Sequence, residues 1–146
     1  MISCFTEPRL VQLTKDRLRT DALFPKSAHV VNYTNKYLIV MSPVVKVVQP
    51  QGNFESSKVQ EFRQHIEDLL ASGVEVVLVD LRDVSFMDSS GLGGLVLALK
   101  TTTAAGSRLC LCSINEQVRL LFELTGMMDI FEIFSNQDEF HKFVSS

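Results

Sequence analysis

Seven residues in the middle of the chain, Glu75-Val76-Val77-Leu78-Val79-Asp80-Leu81, form a near-continuous apolar run. A strand with one wet face alternates apolar and polar residues. A run without that alternation suits a strand covered on both faces, at the centre of a sheet. The rest of the chain has to supply its neighbours and its cover.

The flanking patterns do so in alternation. Val44 to Val48 is β-branched and reads as a strand, ended by the turn residues Pro50-Gln51-Gly52-Asn53. Ser56 or Ser57 is placed to cap a helix running to about Ala71, with Val59, Phe62, Ile66, Leu69 and Leu70 on one face. Ser72-Gly73 closes that helix. Beyond the central run, a connection from Arg82 to Met87 leads to Asp88-Ser89-Ser90-Gly91 and then to a Leu- and Ala-rich helix, Leu92 to about Ala105, stopped by Gly106. Ser107 to Ser113 is the next strand. Asn115 is an N-cap for a helix through about Leu124 with Val118, Leu121 and Phe122 inward, ended by Gly126. Ile130 to Phe134 and Asp138 to Val144 read as a last strand and a terminal helix. The order β-α-β-α-β-α-β-α implies an α/β fold with a largely parallel or mixed sheet and right-handed crossovers.

Composition excludes several classes. The chain has 146 residues, 46% apolar and 21% charged, as ordinary globular domains have. A chain of that size buries roughly 68–70% of its unfolded surface and needs no disulfide or metal staple. A net charge of -3 offers neither the basic stripe of a nucleic-acid binder nor a polybasic footing for a membrane. No apolar run approaches the ~20 residues of a membrane span, and no signal-peptide pattern opens the chain. The three cysteines, Cys4, Cys110 and Cys112, give no disulfide framework. Cys110 and Cys112, two apart in a strand, read as small core residues on one face, and free thiols fit a reducing cytoplasm.

The segment that suggests chemistry is Phe86-Met87-Asp88-Ser89-Ser90-Gly91-Leu92-Gly93-Gly94, between a buried strand and a helix. Ligands of open α/β sheets collect beyond the carboxyl ends of the strands. Two hydroxyls stand there near the first N–H groups of a helix, whose dipole favours negative charge. Two readings of Gly91, Gly93 and Gly94 stand: they keep the turn bare so that another molecule can approach the backbone, or they permit close helix–sheet packing.

Enzyme patterns fail here. No Lys follows the glycines as a phosphate-binding loop requires, and Val96 holds the place of a dinucleotide fingerprint's third glycine. Met87 stands where a hydrolase elbow needs Gly. His29, His65 and His141 read as solvated. Asp80, Asp83 and Asp88, spread along a strand and loop, could form an acidic patch. No catalytic residue, cofactor or metal is expected.

Three motifs carry a resemblance. Asp80-Leu81-Arg82-Asp83-Val84-Ser85-Phe86-Met87-Asp88-Ser89-Ser90-Gly91-Leu92-Gly93 closely resembles the signature of bacterial anti-sigma-factor antagonists in the STAS superfamily. Val118 to Phe131, with its Thr125-Gly126 turn, resembles that family's helix, turn and last strand. Gly52-Asn53-Phe54-Glu55 stands where the family has Gly, any residue, an aliphatic and Asp. Together the motifs cover roughly residues 42–146.

The resemblance implies a STAS fold: a single sheet layer of four or five mixed, mostly parallel strands packed by about four helices. It implies a non-enzymatic, cytoplasmic partner switch in transcription or stress signalling. The unphosphorylated protein would bind an anti-sigma factor that is also a serine kinase. That kinase, with ATP and magnesium, would phosphorylate Ser89 and so release itself, and a serine phosphatase would reset the switch. Asp88, Ser89, Ser90, Gly91, Leu92 and Gly93, with Gly52, Asn53, Phe54 and Glu55, would form the partner surface. Glu55 departs from the family's Asp and bears on which kinase is recognised. Two other readings share the fold: an accessory subunit of a transporter or lipid-transport complex, and a nucleotide-sensing module.

Residues 1–40 lack a sustained period. Either they are an extension before a start at Met41, or an arm whose Val30-Val31 or Leu38-Ile39-Val40 adds the family's first edge strand to the sheet. A missing edge strand would favour self-association. The pattern sets no oligomeric state.

Overall fold

The computed structural model describes residues 10–13, 28–33, 36–41 and 43–145, and the chain divides into two compact units on either side of Val44 and Val45. In the first unit, β1 (Leu10–Leu13), β2 (Ala28–Tyr33) and β3 (Lys36–Met41) form an antiparallel sheet in the order β1-β3-β2. Val30-Val31 and Leu38-Ile39-Val40 therefore pair with each other, Val30 opposite Ile39 and Val31 opposite Leu38, in a sheet of their own. Among the described residues these strands hydrogen-bond with one another. Cys4 and the side chain of His29 lie outside the described residues.

The second unit is α/β. Its main sheet contains β4 (Val45–Val48), β6 (Val76–Asp80), β8 (Arg108–Cys112) and β9 (Glu132–Phe134), all parallel, in that order. Between them run α1 (Ser56–Ala71), α2 (Ser89–Ala104) and α3 (Glu116–Thr125), and α4 (Gln137–Ser145) follows β9. A sheet that grows in one direction through right-handed crossovers lays successive connecting helices on one face. The core lies accordingly between α1, α2, α3 and the Val77, Val79, Leu109 and Leu111 face of the sheet. Val76, Leu78 and Asp80, on the opposite face, are buried too, so the apolar run at 75–81 is the doubly covered central strand that its composition implies.

Two further strands escape the pattern. β5 (Gly52–Phe54) and β7 (Val84–Met87) pair in parallel, where the sequence suggests a turn and a connection. β5 has three residues, begins on Gly52 at φ +75° and shifts register after it; β7 buries only its ends. Neither is long or regular enough to show a period of two.

The caps also differ from expectation. Glu55, not Ser56 or Ser57, is the N-cap of α1, and its side chain makes no capping bond. α2 begins at Ser89 and so includes the first two serines and all three glycines of the site segment. Asn115 does cap α3, its side-chain oxygen accepting from the Val118 N–H at 2.9 Å, and Gly126 closes that helix at φ +71°. Of the inward set proposed for α1, Phe62 and Ile66 are buried and Val59, Leu69 and Leu70 half-buried.

The glycines of α2 have separate tasks. A Cβ on Gly91 would stand 2.1 Å from the Phe54 carbonyl oxygen, and one on Gly94 would stand 3.0 Å from both methyls of Val59. Gly91 thus lets α2 press on β5, and Gly94 lets it press on α1. Only Gly93 opens onto free space. Packing accounts for Gly91 and Gly94; open approach remains to Gly93 alone.

Asp80 ends β6 wholly buried. It accepts from the Arg82 N–H at 2.9 Å and from Gln137 Nε2 at 2.6 Å, and pairs with the Arg82 guanidinium at 3.1 Å. Burial alone would raise its pKa. The Gln137 and Arg82 hydrogen bonds, with the Arg82 charge and Ser113, outweigh burial and hold it below 3.8. Because Gln137 opens α4, this carboxylate ties the terminal helix to the central strand.

Two predictions follow from these contacts. Gly91→Ala should cost at least about 2 kcal/mol by overpacking, whereas Gly93→Ala should be neutral or stabilising by about 0.5–1 kcal/mol; urea midpoints of the two variants distinguish them. Asp80→Asn should cost about 1–2 kcal/mol at neutral pH, chiefly in hydrogen bonds, since half-exposed Arg82 is screened. A depressed folded pKa stabilises above the unfolded value and stops doing so as pH falls through the folded one. Urea unfolding should therefore show the gap between wild type and Asp80→Asn close as pH drops below 3.8.

Candidate functional site

β5 and β7 lie side by side in parallel, with Phe54 opposite Met87. Each runs straight into a helix, so the N-termini of α1 and α2 emerge together at the carboxyl ends of this pair. The Gly52–Glu55 and Asp88–Gly93 segments, far apart in the chain, are thereby adjacent.

Asp88 is the N-cap of α2, in extended conformation, and its Oδ1 accepts from the Gly91 N–H at 2.9 Å while its carbonyl accepts from the Leu92 N–H at 3.0 Å. Ser89 and Ser90 occupy the first two helical positions and are exposed. Helix geometry gives their N–H groups no intrahelical acceptor, so the positive end of α2 faces outward beside two hydroxyls. Gly93 is exposed one turn further on, and Gly52 and Asn53 are exposed on the neighbouring strand. Glu55 and Asp88 are half-buried.

Phe54, Gly91 and Leu92 face inward: Phe54 is 1% exposed and packs edge-on against Phe62 at 5.1 Å. The side chains of Phe54 and Leu92 lie beneath the exposed residues of the site, as does the bare Cα of Gly91. Nor do the three aspartates form an acidic patch. Asp80 is enclosed with Gln137 and Arg82, Asp83 accepts from Gln49 at 2.7 Å, and Asp88 caps the helix. Among the described residues no cluster of three or more potential ligands could hold a metal ion.

Cys110 and Cys112 are both buried, as strand residues on one face should be. Burial, with a smaller push from the Asp80 charge, raises the Cys112 thiol to about 11, so it stays protonated at neutral pH. Cys110 contacts the Glu132 carboxylate at 3.5 Å, and Glu132 pairs with Arg108. His65 and His141 are exposed on α1 and α4. A cleft of about 300 Å³ lies between α1 and the 48–51 segment, lined by Pro50, Phe54, Lys58, Phe62 and His65 among others; no residue of the glycine-rich turn lines it.

One set of site residues is not evident from the sequence. Gln117, at the start of α3, accepts from the Met87 N–H at 2.9 Å and donates from Nε2 to the Met87 carbonyl at 2.8 Å. Asn115 Nδ2 donates to the Val84 carbonyl at 2.9 Å. Asn115 carries a sequence signal for capping, which hides its second bond. Gln117 precedes an apolar helical stripe and looks like any surface glutamine.

A STAS domain family model matches residues 37–140. The anti-sigma-B factor antagonist of Listeria monocytogenes is 45% identical over 58 residues, which is 40% of this chain and 51% of that protein, so the chain spans about half the length of that relative. The solved Thermotoga maritima protein TM1081 is 25% identical with a TM-score of 0.65 over 86% of this chain and 97% of its own. The anti-sigma factor antagonist SpoIIAA in its unphosphorylated form shares the fold at 18% identity and TM-score 0.60, covering 82% and 97%. So does a sulfate transporter family protein from Wolinella succinogenes at 16% and 0.63, covering 72% and 88%. With the doubly covered strand, the paired helix starts and a family model that covers more than half of its residues, the chain belongs to the STAS domain family.

Proposed function

We propose that this chain is an anti-sigma factor antagonist that works as a phosphoswitch on Ser89. The observation that carries the reading is the position of Ser89: exposed, first in α2, and directly after the capping Asp88. The similarity to an anti-sigma-B factor antagonist supports the regulatory role, and SpoIIAA has been solved in both unphosphorylated and phosphorylated forms.

The physics of the position suits a switch. Phosphate adds about -1.5 to -2 charge and three acceptor oxygens. At the first position of α2 the helix dipole tolerates that charge, so the domain itself need not refold. Against a docked partner the same charge would be desolvated beside Asp88, and each 1.4 kcal/mol of penalty is about tenfold in affinity. Gly52, Asn53, Ser90 and Gly93 would share the docking face, while Phe54, Gly91 and Leu92 support it from inside. The partner is an anti-sigma factor with serine kinase activity, and a serine phosphatase reverses the modification. The chain is then a substrate and ligand of enzymes in the cytoplasm, with residues 42–146 as the working module and 1–40 as an extension. Among the described residues no helix is long and apolar enough to cross a membrane.

The fold is shared with a transporter family protein and so does not by itself separate this role from that of a transporter accessory subunit. A phosphorylatable serine after the capping aspartate favours the switch. Incubated with lysate of its own cells and ATP, the full chain should gain one phosphate by intact mass, as should Ser90→Ala, while Ser89→Ala gains none. Phosphate on Ser89→Ala, or none on the wild type across several growth conditions, would overturn the reading.

A further inference from the structure

Strand β7 leads through Asp88 into Ser89, yet among the described residues its only strand partner is β5, three residues long. Its other edge is taken by side chains. Met87 is wholly buried, and both its N–H and its C=O bond to the single carboxamide of Gln117, 30 residues away. A carboxamide carries one acceptor and one donor face, as a peptide does. Gln117 therefore occupies the place of a neighbouring strand's peptide in a β-ladder. At the other end of β7, Asn115 makes half of this contact: its Nδ2 donates to the Val84 carbonyl, while its oxygen caps α3.

We propose that Gln117 is a positioning residue for the entrance to α2: it holds the Met87–Asp88 peptide so that Asp88 caps the helix and Ser89 is presented in one geometry. The geometric part stands on the two hydrogen bonds; its meaning for Ser89 rests on the switch reading above. No other side chain of similar size makes the same pair of bonds. Glutamate accepts but cannot donate when ionised, and methionine does neither, leaving two buried backbone groups without partners. The link also joins the Ser89 segment to α3, so that a change at either end is felt at the other.

The test uses the full chain, wild type and Gln117→Met, which keeps length and bulk but removes both polar groups. In amide hydrogen exchange, Met87 and Gly91 should exchange at least about tenfold faster in the variant, while Val77 and Leu78 of the central strand stay within about twofold. A residue that merely fills space would tolerate methionine, and one that merely stabilises the fold would accelerate all four amides together; either result overturns the proposal. In parallel, phosphate uptake at Ser89 from cell lysate and ATP should slow about tenfold at equal folded fraction. Equal uptake by both proteins overturns the role for Ser89 and leaves the switch intact. No uptake by the wild type sinks the switch, and the exchange pattern then decides the clamp alone.

Discussion

The carbonyl oxygen of Phe54 lies 2.1 Å from where a Cβ of residue 91 would stand. Only glycine leaves room for that approach, and the site geometry depends on it. Because α2 can press onto the end of β5, the β5–β7 pair can run straight into two helices whose N-termini emerge together. The same contact fixes which residues face outward. With Gly91 and Leu92 turned inward, Ser89, Ser90 and Gly93 are left on the surface. A bulkier residue at 91 would have to separate strand from helix, and the two motifs would no longer share a face.

Around this contact, short irregular elements are held by side chains in place of long ladders. β5 and β7 are too brief to satisfy their own backbone groups. Asn115 and Gln117 complete β7 from α3, and Asp80 collects Arg82 and Gln137 to anchor α4. A buried polar group without a partner costs far more than a formed hydrogen bond gains. These few amides and one carboxylate therefore add fixed points to the placement that the apolar core gives α3 and α4. The positive end of α2 then provides a surface on which added negative charge is compatible with the fold.

Read from its residues alone, this chain discloses the central strand, the four helices and the segment that begins α2. Each of these depends on local pattern: an uninterrupted apolar run, helical spacing of large apolar residues, an Asx cap, a glycine at positive φ. It also carries the family motifs, since they are contiguous. What it conceals is whatever depends on approach between distant segments. The parallel pairing of Gly52–Phe54 with Val84–Met87 has no period to reveal it. The burial of Asp80 and Phe54, the separate duties of Gly91, Gly94 and Gly93, and the double bond from Gln117 to Met87 arise only when the chain closes on itself. Periodicity is written between neighbours along the chain, whereas close approach and polar satisfaction are decided between residues thirty or more positions apart, and there the tertiary structure alone speaks.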